Sequence, residues 1–158
     1  ADFIAAHPEL IRELADIGFV YFIVGLEAID DAALAGYQKD TTQEVNEACL
    51  RSIRDAGASC IGLLMMPLDA GRRDFGALAR WVADRPIAYA TVSAFTPIPG
   101  TPVFEEYKDR LRTRDLRKWD FLHLVVKPER LSAAEYLCRF WLLQWKLIRL
   151  AGKARRSR

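Results

Sequence analysis

The sequence predicts an α/β fold on a parallel sheet, and three observations carry that reading. Three apolar runs, Phe19 to Leu26, Ser59 to Met66 and Ile87 to Phe95, lack the alternation of half-exposed strands and suit strands covered on both faces. Amphipathic helical segments separate them. The connections are short, which favours parallel strands joined by right-handed crossovers.

The elements follow in order. Asp2-Phe3-Ile4 reads as the exit of a further strand, so the chain is expected to open in the middle of a strand–helix unit. A helix starts at His7-Pro8, with proline in the favoured first turn, Leu10, Ile11, Leu14 and Ile17 on one face, and Gly18 as its stop. After the first strand, Asp30 to Lys39 reads as a short helix and a loop. Thr41 and Glu44 have capping-box spacing and open a helix that turns Val45, Ala48, Cys49, Ile53 and Ala56 inward and ends at Gly57. Between the second and third strands, a helix over about Asp74 to Asp84 points Phe75, Leu78, Ala79 and Val82 inward. The rhythm then changes. Thr96 to Thr101 is a proline-rich turn, Pro102 to Arg117 a short helix with a loop, and Trp119 to Val126 a short strand or an extended arm. Ser132 and Glu135 again have capping-box spacing and open a long helix reaching about Ala151. These signals divide the chain into an α/β part over 1–100 and a helical extension over 101–158.

Composition narrows the function classes. The 158 residues are 51% hydrophobic and 28% charged, an ordinary globular balance that excludes disordered and fibrous classes. The net charge of +2 conceals a local excess, because Lys153 to Arg158 hold four positive charges and no acid. Cys49, Cys60 and Cys138 are widely spaced with no CxxC, which argues against a disulfide framework and for a reducing, cytoplasmic setting. No run of about 18 uncharged apolar residues is present to span a bilayer. His7 and His123 are isolated, so neither a zinc site nor a Ser-His-Asp arrangement has support.

Ligands of parallel α/β sheets bind where strands end, since loops and free backbone donors converge there. Glu27 ends the first strand and admits two readings: an acceptor for a ligand's ammonium or hydroxyl groups, or a solvated turn acid that caps the next helix. Gly25 before it permits close approach by a ligand or simply tight packing. Met65 and Met66 at the second exit read as core with a thioether near a ligand as the sharper alternative. The turn after Phe95, built on Thr96, Pro97, Pro99 and Gly100, has a rigid path that can present backbone groups to a planar ligand. In the last helix, Phe140, Trp141 and Trp145 combine with Arg139, Lys146 and Arg149, which suits packing on another part of the protein or, more sharply, peripheral contact with a membrane. Nucleic acid is not expected as a partner, because the basic residues sit at one end without a binding module around them.

GLEAIDDAAL (Gly25 to Leu34), a helix ending in DAG (Asp55 to Gly57), IGLLMMPL (Ile61 to Leu68) and FTPIPGTPVFEEY (Phe95 to Tyr107), in that order, resemble the later strands of radical S-adenosylmethionine (SAM) enzymes. WDFLHLVVKPERLSAAEY (Trp119 to Tyr136) is similar to the extension found in members with an upstream cobalamin-binding domain, among them hopanoid and lipid methylases and oxidative-cyclase-like proteins. The resemblance implies strands four to six of a partial (β/α)6 barrel. It also implies that Glu27 contacts the ribose or methionine part of SAM, and that Gly62 to Pro67, with Leu64 and Met66, and Phe95, Thr96 and Pro97 line the adenine. It departs from the family at Pro67 to Arg72, where many relatives have a GLPGET-like loop, and at Ala28, where a serine is frequent.

The CxxxCxxC that holds the family's [4Fe–4S] cluster is missing from the sequence, and the resemblance puts it before residue 1. The expected parent enzyme cleaves SAM at that cluster to a 5′-deoxyadenosyl radical, with cobalamin as a further cofactor in some members, while this part alone is inactive. Its expected partners are the N-terminal half of the same protein, an electron donor and a small-molecule or lipid substrate. Two other readings stay open from the residues: half of an unrelated α/β lyase or hydrolase with Glu27 as general acid or base, and a non-catalytic docking module.

Overall fold

The computed structural model describes residues 1–31, 34 and 41–156. Two helices open the chain, α1 (Asp2–Ala6) and α2 (Pro8–Asp16), followed by β1 (Tyr21–Glu27), α3 (Gln43–Asp55), β2 (Ser59–Met66), α4 (Asp74–Ala83) and β3 (Ile87–Ala94). A short α5 (Pro102–Tyr107), two single 3₁₀ turns and the long α6 (Ala133–Arg156) complete it. The strands form one parallel sheet in the order β1-β2-β3. The α/β class with parallel strands is thus as expected, and the arrangement is consistent with part of a barrel.

Local chemistry sets the boundaries. Pro8 occupies the first turn of α2, where its missing N–H leaves nothing unpaired. Gly57 ends α3 at φ +74°, a conformation that only glycine adopts without strain, and its N–H donates to Arg54 O. The cap of α3 is Thr42, whose side chain accepts from Val45 N, and not Thr41 as the spacing suggested. At α6, Ser132 Oγ accepts from Glu135 N, but the Glu135 carboxylate turns to Arg72 and Arg139 instead of closing a capping box. The Asp2-Phe3-Ile4 segment is helical, correcting its reading as a strand exit. Ala5 N donates to Ala1 O, with Asp2 in the first turn and alanines at both ends of the segment favouring a helical turn. The short helix and loop expected over Asp30 to Lys39 lie largely outside the described residues, as do the side chains of Lys153 to Arg158.

One face of the sheet carries the core. Val24 and Leu26, Cys60, Leu64 and Met66, and Val92 and Ala94 are buried together with Cys49, Leu50 and Ile53 of α3 and Phe75, Leu78, Trp81 and Val82 of α4. Trp81 joins this stripe, with Ala79 packed against it and partly buried, and Arg85 lies over the Trp81 ring at 4.1 Å. Asn46, unanticipated on a helix read as apolar inward, is fully buried.

The other face of the sheet is open, which corrects the expectation of strands covered on both sides. Tyr21, Ile23, Leu63 and Thr91 are exposed there, and Phe19 and Val20 lead into β1 equally exposed. The edges differ too. β1 pairs only with β2 among the described residues, whereas the free edge of β3 is closed: Val92 O accepts from Gln144 Nε2 of α6, and Ala94 N donates to Phe121 O. Trp119 to Val126 is therefore an extended arm, with Leu124, Val125 and Val126 buried and a single antiparallel bridge from Leu111 to Val126. Tyr136, Phe140, Leu143 and Leu147 seat α6 on this core, each burial worth about 1.5–3 kcal/mol.

Candidate functional site

The exit of β1 is irregular in a way that places one carboxylate. The parallel register shifts between Gly25 and Glu27, leaving Leu26 as an extra residue, and Glu27 stands at φ +62° in the left-handed region. Such a backbone is costly for a residue with a Cβ and is held by its surroundings. Here the holders come from the start of α3: Asn46 Nδ2 donates to Leu26 O at 3.1 Å, and Gln43 Nε2 donates to Ala28 O at 3.1 Å. Ala28 N donates to Leu26 O at 2.8 Å and tightens the turn. The Glu27 side chain folds back over Gly25, so that a Cβ on Gly25 would lie 2.6 Å from Glu27 Oε1. Gly25 thus leaves room for a side chain of its own strand.

Glu27 faces a hollow of about 360 Å³ on the open sheet face, shared with Leu63, Leu64, Thr91, Ser93 and Phe121. Phe121 is the second non-glycine residue at positive φ among those described, at +64°. Its turn is fixed by Asp120, whose carboxylate accepts from the N–H groups of Leu122 and His123 and from the His123 ring. Those backbone donors hold the Asp120 carboxyl down at about 2. Two left-handed residues, far apart in sequence, therefore line one hollow with a carboxylate, two hydroxyls and apolar walls.

A second, larger hollow of about 550 Å³ lies beyond the strand ends, between the exits of β1, β2 and β3. Met66 and Phe95 line it with Tyr107, whose ring stands 4.9 Å from that of Phe95. Burial pushes the Tyr107 phenol up. Asp30, Asp69, Asp74 and Glu129 give this hollow an acidic lining. Glu129 is paired with Arg110 at 2.9 Å, and Asp74 accepts from Gly71 N at 2.7 Å. Tyr136 OH donates within reach of Met66 O at 2.9 Å, tying α6 to the floor at the β2 exit.

The residues singled out in sequence therefore fall into separate places. Glu27 and Leu64 line the smaller hollow, with Gly25 next to the Glu27 carboxylate, and Met66 and Phe95 line the larger. Gly62 lines neither; a Cβ there would lie 2.8 Å from Leu26 Cδ1, so it serves packing beneath the sheet. Thr96 is buried with its hydroxyl donating to Ala94 O, and Pro97 O accepts from Trp119 Nε1 at 2.7 Å. Asn46, Thr91, Ser93 and Phe121 were missed, because an asparagine within an apolar helix face and an aromatic in an arm have no motif of their own. The only sequence signal for Phe121 was its position after Asp120, a residue type that initiates turns.

No cysteine is set up as a metal ligand. Burial pushes the Cys49 thiol up to about 11 and the Cys60 thiol up to about 12, and Cys138 is exposed on α6. Among the described residues no group of three His, Cys, Asp or Glu side chains could hold a metal ion. The residues of this chain do not fit an iron–sulfur cluster. No helix among the described residues is long and apolar enough to cross a membrane.

No family model matches the chain. It is similar to the bacteriochlorophyllide d C-12(1)-methyltransferase of Chlorobaculum tepidum, at 28% identity over 87% of this chain and 30% of that protein. The anaerobic magnesium-protoporphyrin IX monomethyl ester cyclase of Cereibacter sphaeroides matches at 28% identity over 82% of this chain and 21% of its own. The hopanoid C-3 methylase of Methylococcus capsulatus matches at 29% over 85% and 26%. The chain thus spans about a fifth to a third of the length of these curated relatives. Over most of its length, this chain is a homologue of radical SAM family members.

Proposed function

We propose that this chain forms part of the SAM- and substrate-binding wall of a radical SAM enzyme that methylates or oxidatively cyclises its substrate. The observation that carries the reading is the strained exit of β1, where Glu27 at φ +62° is braced from α3 and lies over Gly25. Its carboxylate would accept hydrogen bonds from the ribose hydroxyls or the ammonium group of SAM. The adenine would lie against Phe95 and Met66 in the larger hollow, whose acidic lining suits a ligand carrying a sulfonium charge. Glu27 and Ala28 are consecutive and belong to the two hollows, so one extended ligand can reach both.

SAM together with a [4Fe–4S] cluster supplies the radical chemistry in such an enzyme. This chain's own residues bind and orient. The cluster ligands and the electron-donor site belong to other parts of the protein, cobalamin is a further cofactor of the methylating alternative, and the part by itself is inactive. The open sheet face and the outer edge of β1, which pairs with no further strand among the described residues, suit closure by further parallel strands into a barrel. The relatives' names concern bacteriochlorophyllide d, magnesium-protoporphyrin IX monomethyl ester and hopanoids. We extend to this protein the class they share, a large and mostly apolar polycycle.

The test is SAM binding by the anaerobically reconstituted enzyme, measured by isothermal titration, with Glu27→Gln beside the unaltered protein. Loss of one charged acceptor is expected to weaken binding about 10- to 100-fold, the equivalent of roughly 1.5–3 kcal/mol. Unchanged affinity would remove Glu27 from the site.

A further inference from the structure

A groove of about 380 Å³ runs between α4 and α6 and shares no lining residue with the two hollows at the strand ends. Its floor is made of the small residues Gly76, Ala79 and Ala83, and its walls include Trp145 and Leu150. Arg80, Lys146 and Arg149 line it. Among the described residues none of the three forms an ion pair, whereas Arg54, Arg72, Arg85, Arg110, Arg117 and Arg139 all do. The Arg149 guanidinium lies 4.5 Å from the Trp145 ring centroid, and the Arg80 guanidinium lies over Gly76.

The rest of this face is apolar. Trp141, Leu142, Trp145 and Ile148 are between 51% and 71% exposed. At 100° per residue they share one side of α6 with Arg149, opposite the buried stripe of Tyr136, Phe140, Leu143 and Leu147. Lys146 borders that apolar strip. From Tyr136 to Arg158 the sequence has seven arginines and lysines and no acid.

We propose that this face, the α4–α6 groove with the outer side of α6, docks on a bilayer surface of anionic phospholipids. Trp141, Trp145, Leu142 and Ile148 enter the headgroup–acyl boundary, and Arg80, Lys146 and Arg149 take lipid phosphates. The argument is charge complementarity joined to the kind of apolar residue exposed. Indole rings beside unpaired cations suit a boundary that is apolar on one side and anionic on the other. A protein partner covering this face would be expected to bring carboxylates to all three cations. A nucleic acid would use the cations and leave Leu142 and Ile148 in water.

The experiment is co-sedimentation of the full chain with vesicles of phosphatidylcholine alone and of phosphatidylcholine mixed with phosphatidylglycerol. Binding is expected only to the mixed vesicles and is expected to fall as salt rises. The exposed double variant Lys146→Glu/Arg149→Glu is expected to weaken it at least about thirtyfold, from roughly fivefold per cation lost near an anionic surface. Trp141→Ser/Trp145→Ser is expected to weaken it as well while the helical circular dichroism is retained, which a purely electrostatic polyanion site would not show. Equal binding to both vesicle types, no binding to either, or charge reversal without effect would each overturn the proposal. So would RNA binding that displaces the vesicles and survives the tryptophan variant.

Discussion

Glu27 provides the sharpest test, because its backbone and its side chain make opposite demands. A residue with a Cβ in the left-handed region costs about 1–2 kcal/mol, and glycine escapes that cost while losing about 0.5–1 kcal/mol more chain entropy on folding. The informative comparison is Glu27→Gly against Glu27→Ala, since both remove the carboxylate and whatever it binds. At φ +62° glycine is expected to be the more stable by about 0.5–1 kcal/mol, the reverse of the order in an ordinary strand. For a chain of this size that corresponds to a difference of roughly 1–4 °C in melting temperature. Urea unfolding followed by far-ultraviolet circular dichroism reads the difference directly. In the reconstituted enzyme both variants are expected to lose SAM affinity alike. An alanine variant as stable as the glycine variant, or more so, would refute the claim that the strand exit stores strain.

Other perturbations address the supports of that exit. Gly25→Ala puts a Cβ 2.6 Å from Glu27 Oε1, a flexible end that moves aside; stability is expected to change by less than about 1 kcal/mol while SAM affinity falls, as isothermal titration would record. Asn46→Ala leaves Leu26 O with Ala28 N as its remaining donor and is expected to cost about 0.5–1.5 kcal/mol, one net hydrogen bond, in urea unfolding. In the folded chain at mild pH, a thiol reagent is expected to label Cys138 alone, with Cys49 and Cys60 labelled only in denaturant; early labelling of either would contradict their burial. Because folding raises both buried thiols from 9.0 to about 11 and about 12, their contribution is complete below pH 9 and is lost as pH rises through 11 to 12, so alkaline unfolding should begin above about pH 9 and move upward in Cys49→Ala/Cys60→Ala.

What the sequence made legible was periodic or terminal. Uninterrupted apolar runs located all three strands, and Pro8, Gly57 and Ser132 marked helix ends, because these signals depend on neighbours a few residues apart. The open sheet face was not legible for a related reason. Tyr21, Ile23 and Leu63 are as apolar as the residues that are buried, so hydropathy alone cannot tell a covered face from an uncovered one. Thr41 and Thr42 differ by one position, and only the backbone path chooses between them as the cap. Asn46 passed unnoticed because its value lies in a long-range bond to Leu26 O, which has no local signature.

The candidate site combines both cases. Gly25 and Glu27 were visible as a pair at a strand end, yet the reason for the glycine is the carboxylate two residues later, folded back over it. Phe121 belongs to a segment ninety-odd residues away by sequence, and it meets Glu27 only because the arm after α5 seals the edge of β3 through Ala94 N and Phe121 O. Both residues adopt a left-handed backbone beside the same hollow, the first braced from α3 by Asn46 and Gln43 and the second held by Asp120. Strain at one position has many local causes. Strain at two positions converging on one polar hollow is what preorganisation for a ligand predicts, so the binding site we propose includes the arm as well as the β1 exit.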